Sequence, residues 1–257
     1  MTQPLAGLTV VVTRPARQAT SFVERLLELG ALAISFPTIE IEPVDLPADA
    51  RDRLTPDRHD WAIYTSSNAV LHSLARLGQP TRARVAAIGR ATARALAAAG
   101  VQVDAWPAQG ADSEGLLAHP LLADVRGRKV LVVKGVGGRD ALRDGLESRG
   151  ATVDTAEVYR RVRATTTPEA LAALGTGARH RTVVAVTSVE VLESLLDLAP
   201  DPVVRWLRDS TLLVPGSRVA SAAGRLGWRG PVVVSASAED DAMLDALARL
   251  GSGGTHA

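Results

Sequence analysis

The sequence predicts an α/β protein built as two similar lobes, each an open parallel sheet flanked by helices. Three observations predict it. Short β-branched runs alternate with helical stretches along most of the chain, the pattern of parallel sheets with right-handed crossovers. One such block occurs twice: residues 8–41 parallel 130–162, residues 61–77 parallel 183–198, and residues 85–106 parallel 212–235. Two matching segments, Phe36–Ile41 and Glu157–Val162, each follow a strand, a helix, a Gly-Ala pair (Gly30-Ala31 and Gly150-Ala151) and a second strand. They are read as the crossings of a two-stranded linker, with a cleft between flavodoxin- or Rossmann-like lobes.

The elements follow in order. Leu8–Val12 is a buried strand and Thr13-Arg14-Pro15 breaks it. The next helix presents Phe22, Val23, Leu26, Leu27 and Leu29 on one face and stops at Gly30. Ala31–Phe36 is a strand, and Pro37–Pro47 is extended and linker-like. Trp61–Tyr64 is a strand. Thr65-Ser66-Ser67-Asn68 supplies the N-cap of a helix carrying Val70, Leu71, Leu74 and Leu77. Val85–Ile88 is a strand, Gly89 to Gly100 a turn and an alanine-rich helix, Val101–Trp106 a strand, and Asp112–Leu117 a short helix. Lys129–Val133 is the clearest strand. A glycine-rich turn, Lys134–Arg139, leads into a helix with Leu142 and Leu146, then a strand from Thr152 into Tyr159. The plan repeats: strands at 182–186, 211–214 and 232–234, helices at 191–198, after Arg218 and around Met243–Leu247, and a frayed tail from Gly251 to Ala257.

Composition narrows the function. With 257 residues and a net charge of +1, the chain has room for two modest domains and no electrostatic footprint for nucleic acid or an anionic membrane. It has no cysteine, which excludes disulfides, thiolate catalysis and sulfur-ligated zinc. His59, His72, His119, His180 and His256 form no metal-like pair at helical spacing, so no metal is expected. The N-terminus shows no signal peptide and no apolar stretch approaches a membrane span, so the expectation is a soluble cytoplasmic protein. Asp45, Asp49, Asp52 and Asp57 are read as mostly solvated surface.

In open parallel sheets, ligands sit beyond the carboxyl ends of the strands. Those ends carry Arg14; Thr65, Ser66, Ser67 and Asn68; Gly89 and Thr92; Lys134, Gly135, Gly137 and Gly138; Thr187 and Ser188; and Ser217 and Arg218. Each joins a hydroxyl, a glycine or a cation to a helix N-terminus, whose free N–H groups favour carboxylate or phosphate. Plain capping is the better reading of any one turn. Taken together around one cleft they are read as a site for a polyanion. Tyr159, one of two tyrosines, is either a cleft-facing group or an ordinary half-buried strand aromatic. Gly135-Val136-Gly137-Gly138 lacks the third glycine of a dinucleotide fingerprint, since position 140 is Asp140, and neither a P-loop nor a nucleophile elbow occurs.

The ordered motifs Val-Thr-Arg-Pro (12–15), Phe-Pro-Thr-Ile-Glu-Ile (36–41), Asp-Trp-Ala-Ile-Tyr-Thr-Ser-Ser-Asn-Ala-Val (60–70), Ala-Ile-Gly-Arg-Ala-Thr-Ala (87–93), Asp-Ser-Glu-Gly-Leu-Leu (112–117), Gly-Gly-Arg-Asp-x-Leu (137–142), Val-Tyr-Arg-Arg (158–161) and Val-Thr-Ser (186–188) resemble those of uroporphyrinogen-III synthases. The resemblance covers nearly the whole chain. It implies a discontinuous first domain (1–36 and 165–257), a second domain (42–158) and linker strands at 37–41 and 159–164. It also implies cyclisation of hydroxymethylbilane with loss of water and inversion of the last pyrrole ring, using neither cofactor nor metal; separately, the chain is expected to act as a monomer. Tyr159 falls on the family's cleft tyrosine, and a phenol, with a reference pKa of about 10, carries its proton at neutral pH. Thr65, Ser66, Thr92, Thr187 and Ser188 match cleft turns and are expected to bind carboxylates, with Arg14 a direct partner. Two departures stand out. Lys134 and Val136 replace an Arg and a Glu common among relatives, and Val219 occupies a position where a hydroxyl is expected. The competing reading is a non-catalytic ligand-sensing module of the same fold.

Overall fold

The computed structural model describes every residue except 1, 2, 108, 109, 111, 139, 177–180 and 253–257. The elements run β1 (Thr9–Val12), α1 (Ala16–Glu28), β2 (Leu32–Ser35), β3 (Ile39–Pro43), α2 (Ala48–Arg53), β4 (Trp61–Tyr64), α3 (Ser67–Leu77), β5 (Arg84–Ala87), α4 (Arg90–Ala98), α5 (Ser113–Leu117), β6 (Lys129–Gly135), α6 (Ala141–Ser148) and β7 (Thr152–Arg163). They continue with α7 (Pro168–Thr176), β8 (Thr182–Ala185), α8 (Val189–Leu198), α9 (Asp201–Asp209), β9 (Thr211–Val214), α10 (Ser217–Arg225), β10 (Val232–Val234) and α11 (Asp240–Ser252). Two compact units divide the chain, residues 1–40 with 162–257 and residues 41–161.

The first unit holds a five-stranded sheet in the order β2-β1-β8-β9-β10, with every pair parallel. Renumbered within the sheet this is 2-1-3-4-5, the doubly wound order whose direction reverses between the first and third strands. All four residues of β1 and of β8 are buried, as strands covered on both faces require. The core joins Val10 and Val12 to Ala19, Phe22 and Leu26 of α1 and to Met243, Leu244 and Leu247 of α11. Full burial of a side chain such as Phe22 or Leu26 contributes about 1.5–3 kcal/mol.

In the second unit the order is β5-β4-β6-β7-β3, and the pairs from β5 to β7 are parallel. The reversal of direction falls between β4 and β6. The period of two along β4 splits its side chains between two cores. Ala62 and Tyr64 pack with Val70, Leu77 and Leu96 of α3 and α4, and Trp61 and Ile63 with Leu116, Leu142 and Leu146 of α5 and α6.

The Gly-Ala pairs of the sequence have a common physical cause. After α1, Gly30 has φ +88° and donates to Leu27 O (3.0 Å), while Ala31 N donates to Leu26 O (3.0 Å). This double closure satisfies orphan carbonyls at the helix end and turns the chain straight into a strand. The same pair of bonds closes α4 at Gly100, α6 at Gly150 and α10 at Gly227.

Several expectations are corrected. Leu27 and Leu71 are 54% and 59% exposed, because each sits at the margin of its helix's apolar stripe. Residues 101–106 form no strand. Ala105 makes one isolated bridge to Ala86, and the Asp104 carboxylate takes the Val85 N–H (2.7 Å) that a continued ladder would use. The sequence reading left α2, α7 and α9 unassigned. A proline flanks each start (Pro47, Pro168, Pro200), which reads as loop although proline suits a first helical turn. Gly251 and Ser252 belong to α11 rather than to a tail. Strand backbone does run through 39–41, in β3, and through 159–163, in β7.

Asp57 is no bystander either. Burial raises its pKa, but the Thr81 hydroxyl and the amides of Arg82, Thr81 and Ala83 outweigh that and hold it at about 2. The folded value lies below the ordinary carboxylate value. The tie is therefore fully formed above about pH 4 and is lost as pH falls towards 2. Replacing Asp57 with Ala is expected to cost about 1 kcal/mol at neutral pH, with solvent screening reducing the charge-assisted value. Urea midpoints should show the variant and parent converging at pH 2. Gly230 faces the Ser210 carbonyl so closely that an added Cβ would stand 2.0 Å from it. Gly230→Ala is expected to cost about 3 kcal/mol or more, read as a fall in the urea midpoint.

Candidate functional site

A rich set of polar groups stands in the second unit at the carboxyl ends of β4 and β6, beside residues 155–161 of β7. The Thr65 amide and hydroxyl both donate to Val133 O (3.1 and 3.2 Å), locking the turn after β4 to β6 at the point of reversal. Ser66 has extended backbone and caps α3, its Oγ accepting the Ala69 N–H at 3.0 Å. That Oγ also lies 3.0 Å from the Tyr159 hydroxyl, and either oxygen can donate. Tyr159 is 3% exposed, with the His72 ring of α3 centred 6.0 Å from its own.

The alignment of β6 with β7 sets this arrangement. Lys134 pairs with Glu157, but Gly135 pairs with Tyr159, so the register slips by one residue and Val158 is left over. The Val136 amide donates to Tyr159 O (2.8 Å) and the Gly137 amide to the Glu157 carboxylate (3.2 Å). Gly137 and Gly138 follow at φ +75° and +87°, which side-chain-bearing residues rarely adopt.

A pocket of about 340 Å³ opens here. Thr65, Lys134, Gly135, Gly137, Gly138 and Tyr159 line it, as do Asp112, Asp140, Arg143, Thr155 and Arg161. Among the described residues its charged groups are three cations and two carboxylates. Asp140 lies between two of the cations, 3.2 Å from Lys134 Nζ and 3.6 Å from Arg143. Such a lining suits an anionic ligand, with Asp140 restraining the cations when none is bound.

The other residues expected at the site are placed differently. Ser67 donates to Ala91 O (3.3 Å) and is exposed. Thr92 is buried on α4 at 3% exposure, Gly89 caps that helix in an extended conformation open to any residue, and Asn68 lies in the first turn of α3.

Within the first unit, Thr13 donates to Ala185 O (2.7 Å), joining β1 to β8. Arg14 is engaged: it pairs with Asp240, donates to Ala238 O (2.8 Å) and lies 4.6 Å above the Phe22 ring. This guanidinium is 8% exposed and already has a carboxylate partner, so the direct contact expected of it with a ligand carboxylate would compete with Asp240. Ser188 caps α8, accepting the Val191 N–H at 3.2 Å, and Thr187 beside it is half-buried. Gly216 precedes α10 at φ +138°, Ser217 and Arg218 are exposed, and Val219 faces the core at 3% exposure. The missing hydroxyl at 219 is therefore an apolar packing position.

Sequence reading missed Asp112, Asp140, Arg143, Thr155 and Arg161 in the pocket and His72 beside Tyr159. Arg161 had a signal, being two residues from Tyr159 along one strand, and Asp112 opened a recognised motif. Arg143 and His72 had none, because only the fold brings their helices to the pocket and to Tyr159. His180, His256 and Arg139 lie outside the described residues. Among the described residues no three His, Cys, Asp or Glu side chains could hold a metal ion together, and no helix is long and apolar enough to cross a membrane.

Comparison with known proteins bears on the same architecture. Solved uroporphyrinogen III synthases share the fold. A mutant form of the Thermus thermophilus protein superposes with a TM-score of 0.60 at 24% identity, over 96% of this chain and 100% of that one. The Helicobacter pylori 26695 protein superposes at 0.64 and 17% identity, over 95% and 99%. Among curated proteins, the uroporphyrinogen-III synthase of Escherichia coli is 36% identical over 247 residues, 93% of this chain and all of that one. That of Salmonella typhimurium is 35% identical over 247 residues, with the same shares of the two chains. The family model described as uroporphyrinogen-III synthase HemD matches residues 20–245. With the doubly wound sheets and a match along nearly its full length, the chain belongs to the uroporphyrinogen-III synthase family.

Proposed function

We propose that the protein closes linear hydroxymethylbilane to uroporphyrinogen III, with loss of water and inversion of the last ring. One observation supports this beyond family membership: Tyr159, whose hydroxyl meets that of Ser66, is among the residues lining a pocket where, among the described residues, cations outnumber carboxylates. The substrate carries eight carboxylates, and Lys134, Arg143 and Arg161 give its side chains partners of opposite charge.

Tyr159 gives its proton to the departing hydroxyl of the hydroxymethyl group, and the pyrrole nitrogen supplies electrons as the carbon–oxygen bond breaks. Water leaves. The electrophilic carbon is then attacked by the already substituted carbon of the last ring, giving a spiro intermediate. Its rearrangement inverts that ring and releases a proton, which balances the one Tyr159 gave. Uncatalysed closure joins the chain ends directly, so the protein's main contribution is to hold the tetrapyrrole folded and away from water. The same reading takes the protein to act as a cytoplasmic monomer without nucleic acid or membrane, in keeping with a net charge of +1.

Purified protein given hydroxymethylbilane is expected to yield the type III isomer by chromatography, and type I alone would overturn the proposal. Tyr159→Phe is expected to lower kcat about tenfold or more, modest for general acid catalysis because the pyrrole nitrogen assists. Lys134→Ala is expected to raise KM about tenfold with a small effect on kcat, the loss of one charge-assisted contact worth about 1.5 kcal/mol. Steady-state kinetics on both variants check these values.

A further inference from the structure

Gly135 stands at the end of β6, opposite Tyr159. Its φ is not positive, so its backbone conformation does not call for glycine as those of Gly137 and Gly138 do. Space does. A Cβ at 135 would lie 2.6 Å from Tyr159 Cζ, 2.8 Å from Cε2 and 3.0 Å from the hydroxyl. All three atoms belong to a side chain held at 3% exposure, with His72 also near it. The ring therefore occupies the place a side chain would take. It reaches that place because of the register slip, which sets Tyr159 rather than Val158 beside Gly135. The hydroxyl then stands 3.0 Å from Ser66 Oγ, an atom already fixed by accepting the Ala69 N–H.

We infer that Gly135 and Ser66 are positioning residues that seat the Tyr159 phenol, Gly135 by leaving room for the ring and Ser66 by holding the hydroxyl. The seat assigns both residues to Tyr159 rather than to substrate carboxylates. Ser66 Oγ accepts the Ala69 N–H on one lone pair and keeps its own O–H to give to Tyr159, which leaves the phenol proton for the pocket. When Tyr159 gives that proton away, the same Ser66 O–H remains as donor to the phenolate. The catalytic part of the inference rests on the proposed reaction; the seat itself rests on geometry alone.

The chain has two tyrosines, Tyr64 and Tyr159, so protein labelled with ¹³C at tyrosine Cζ gives two signals. Tyr159→Phe assigns them. Tyr64 lies in the core of the unit at 0% exposure and serves as the internal reference. Gly135→Ala and Ser66→Ala are each expected to move the Tyr159 signal and leave that of Tyr64. Both are expected to lower kcat about tenfold while KM changes less than about twofold, the split of a misaimed donor rather than a lost substrate contact. Ser188→Ala removes an equivalent helix cap in the other unit and is expected to move neither signal. If Gly135→Ala fails to fold, the double variant with Tyr159→Ala should recover it, and failure of the double variant as well would overturn the ring clash. A Tyr159 signal unmoved in Gly135→Ala overturns the seat whatever the activity. Full turnover in Tyr159→Phe overturns the proton-donor reading and leaves the seat to stand on the spectra.

Discussion

Parallel pairing is the constraint on which the rest depends. When neighbouring strands run the same way, their carboxyl ends meet at one edge of the sheet, and each following helix starts there with unsatisfied N–H groups. In the second unit this gathers the turns after β4 and β6 beside the Tyr159 stretch of β7, although Tyr64 and Tyr159 are far apart in sequence. The return journey is equally constrained. Glycines at 30, 100, 150 and 227 close four helices with the same pair of hydrogen bonds and feed the chain back towards the opposite edge.

Given that edge, a small irregularity acquires chemical meaning. A regular ladder would set Val158 beside Gly135. The one-residue slip sets Tyr159 there instead, and the absence of a side chain at 135 turns the slip into a seat. The cations nearby are partly restrained by Asp140, so they are ordered before any ligand arrives, and ordering completed in advance is a smaller cost at binding. Arg14 shows the opposite use of charge. Its pairing with Asp240 and its place over Phe22 tie the turn after β1 to the start of α11, a structural duty that leaves little for a ligand.

The errors of sequence reading have physical sources. Exposed Leu27 and Leu71 show that periodicity finds a helix but not the width of its buried stripe. Residues 101–106 have strand composition and lie beside β5, yet the Asp104 carboxylate captures the amide that pairing needs. The three unassigned helices begin beside prolines, and their few buried positions, such as Val204 and Leu207 of α9, give a weak period. Asp57 resembled solvated surface because nothing in its neighbours announces the backbone amides of residues 81–83 that fold against it.

By itself the sequence determined the alternation of elements, the doubling of the block, the glycine closures and the family, all properties carried by local pattern and ordered motifs. It also picked out Tyr159, Ser66, Gly135 and Lys134 one by one. Tertiary structure alone decided which of them meet. The register of β6 against β7, the partner of Arg14, the burial of Thr92 and the arrival of Arg143 and His72 depend on contacts between residues far apart in the chain. Local propensity carries no information about a one-residue slip, because the same two strands can pair in either register until side chains compete for space.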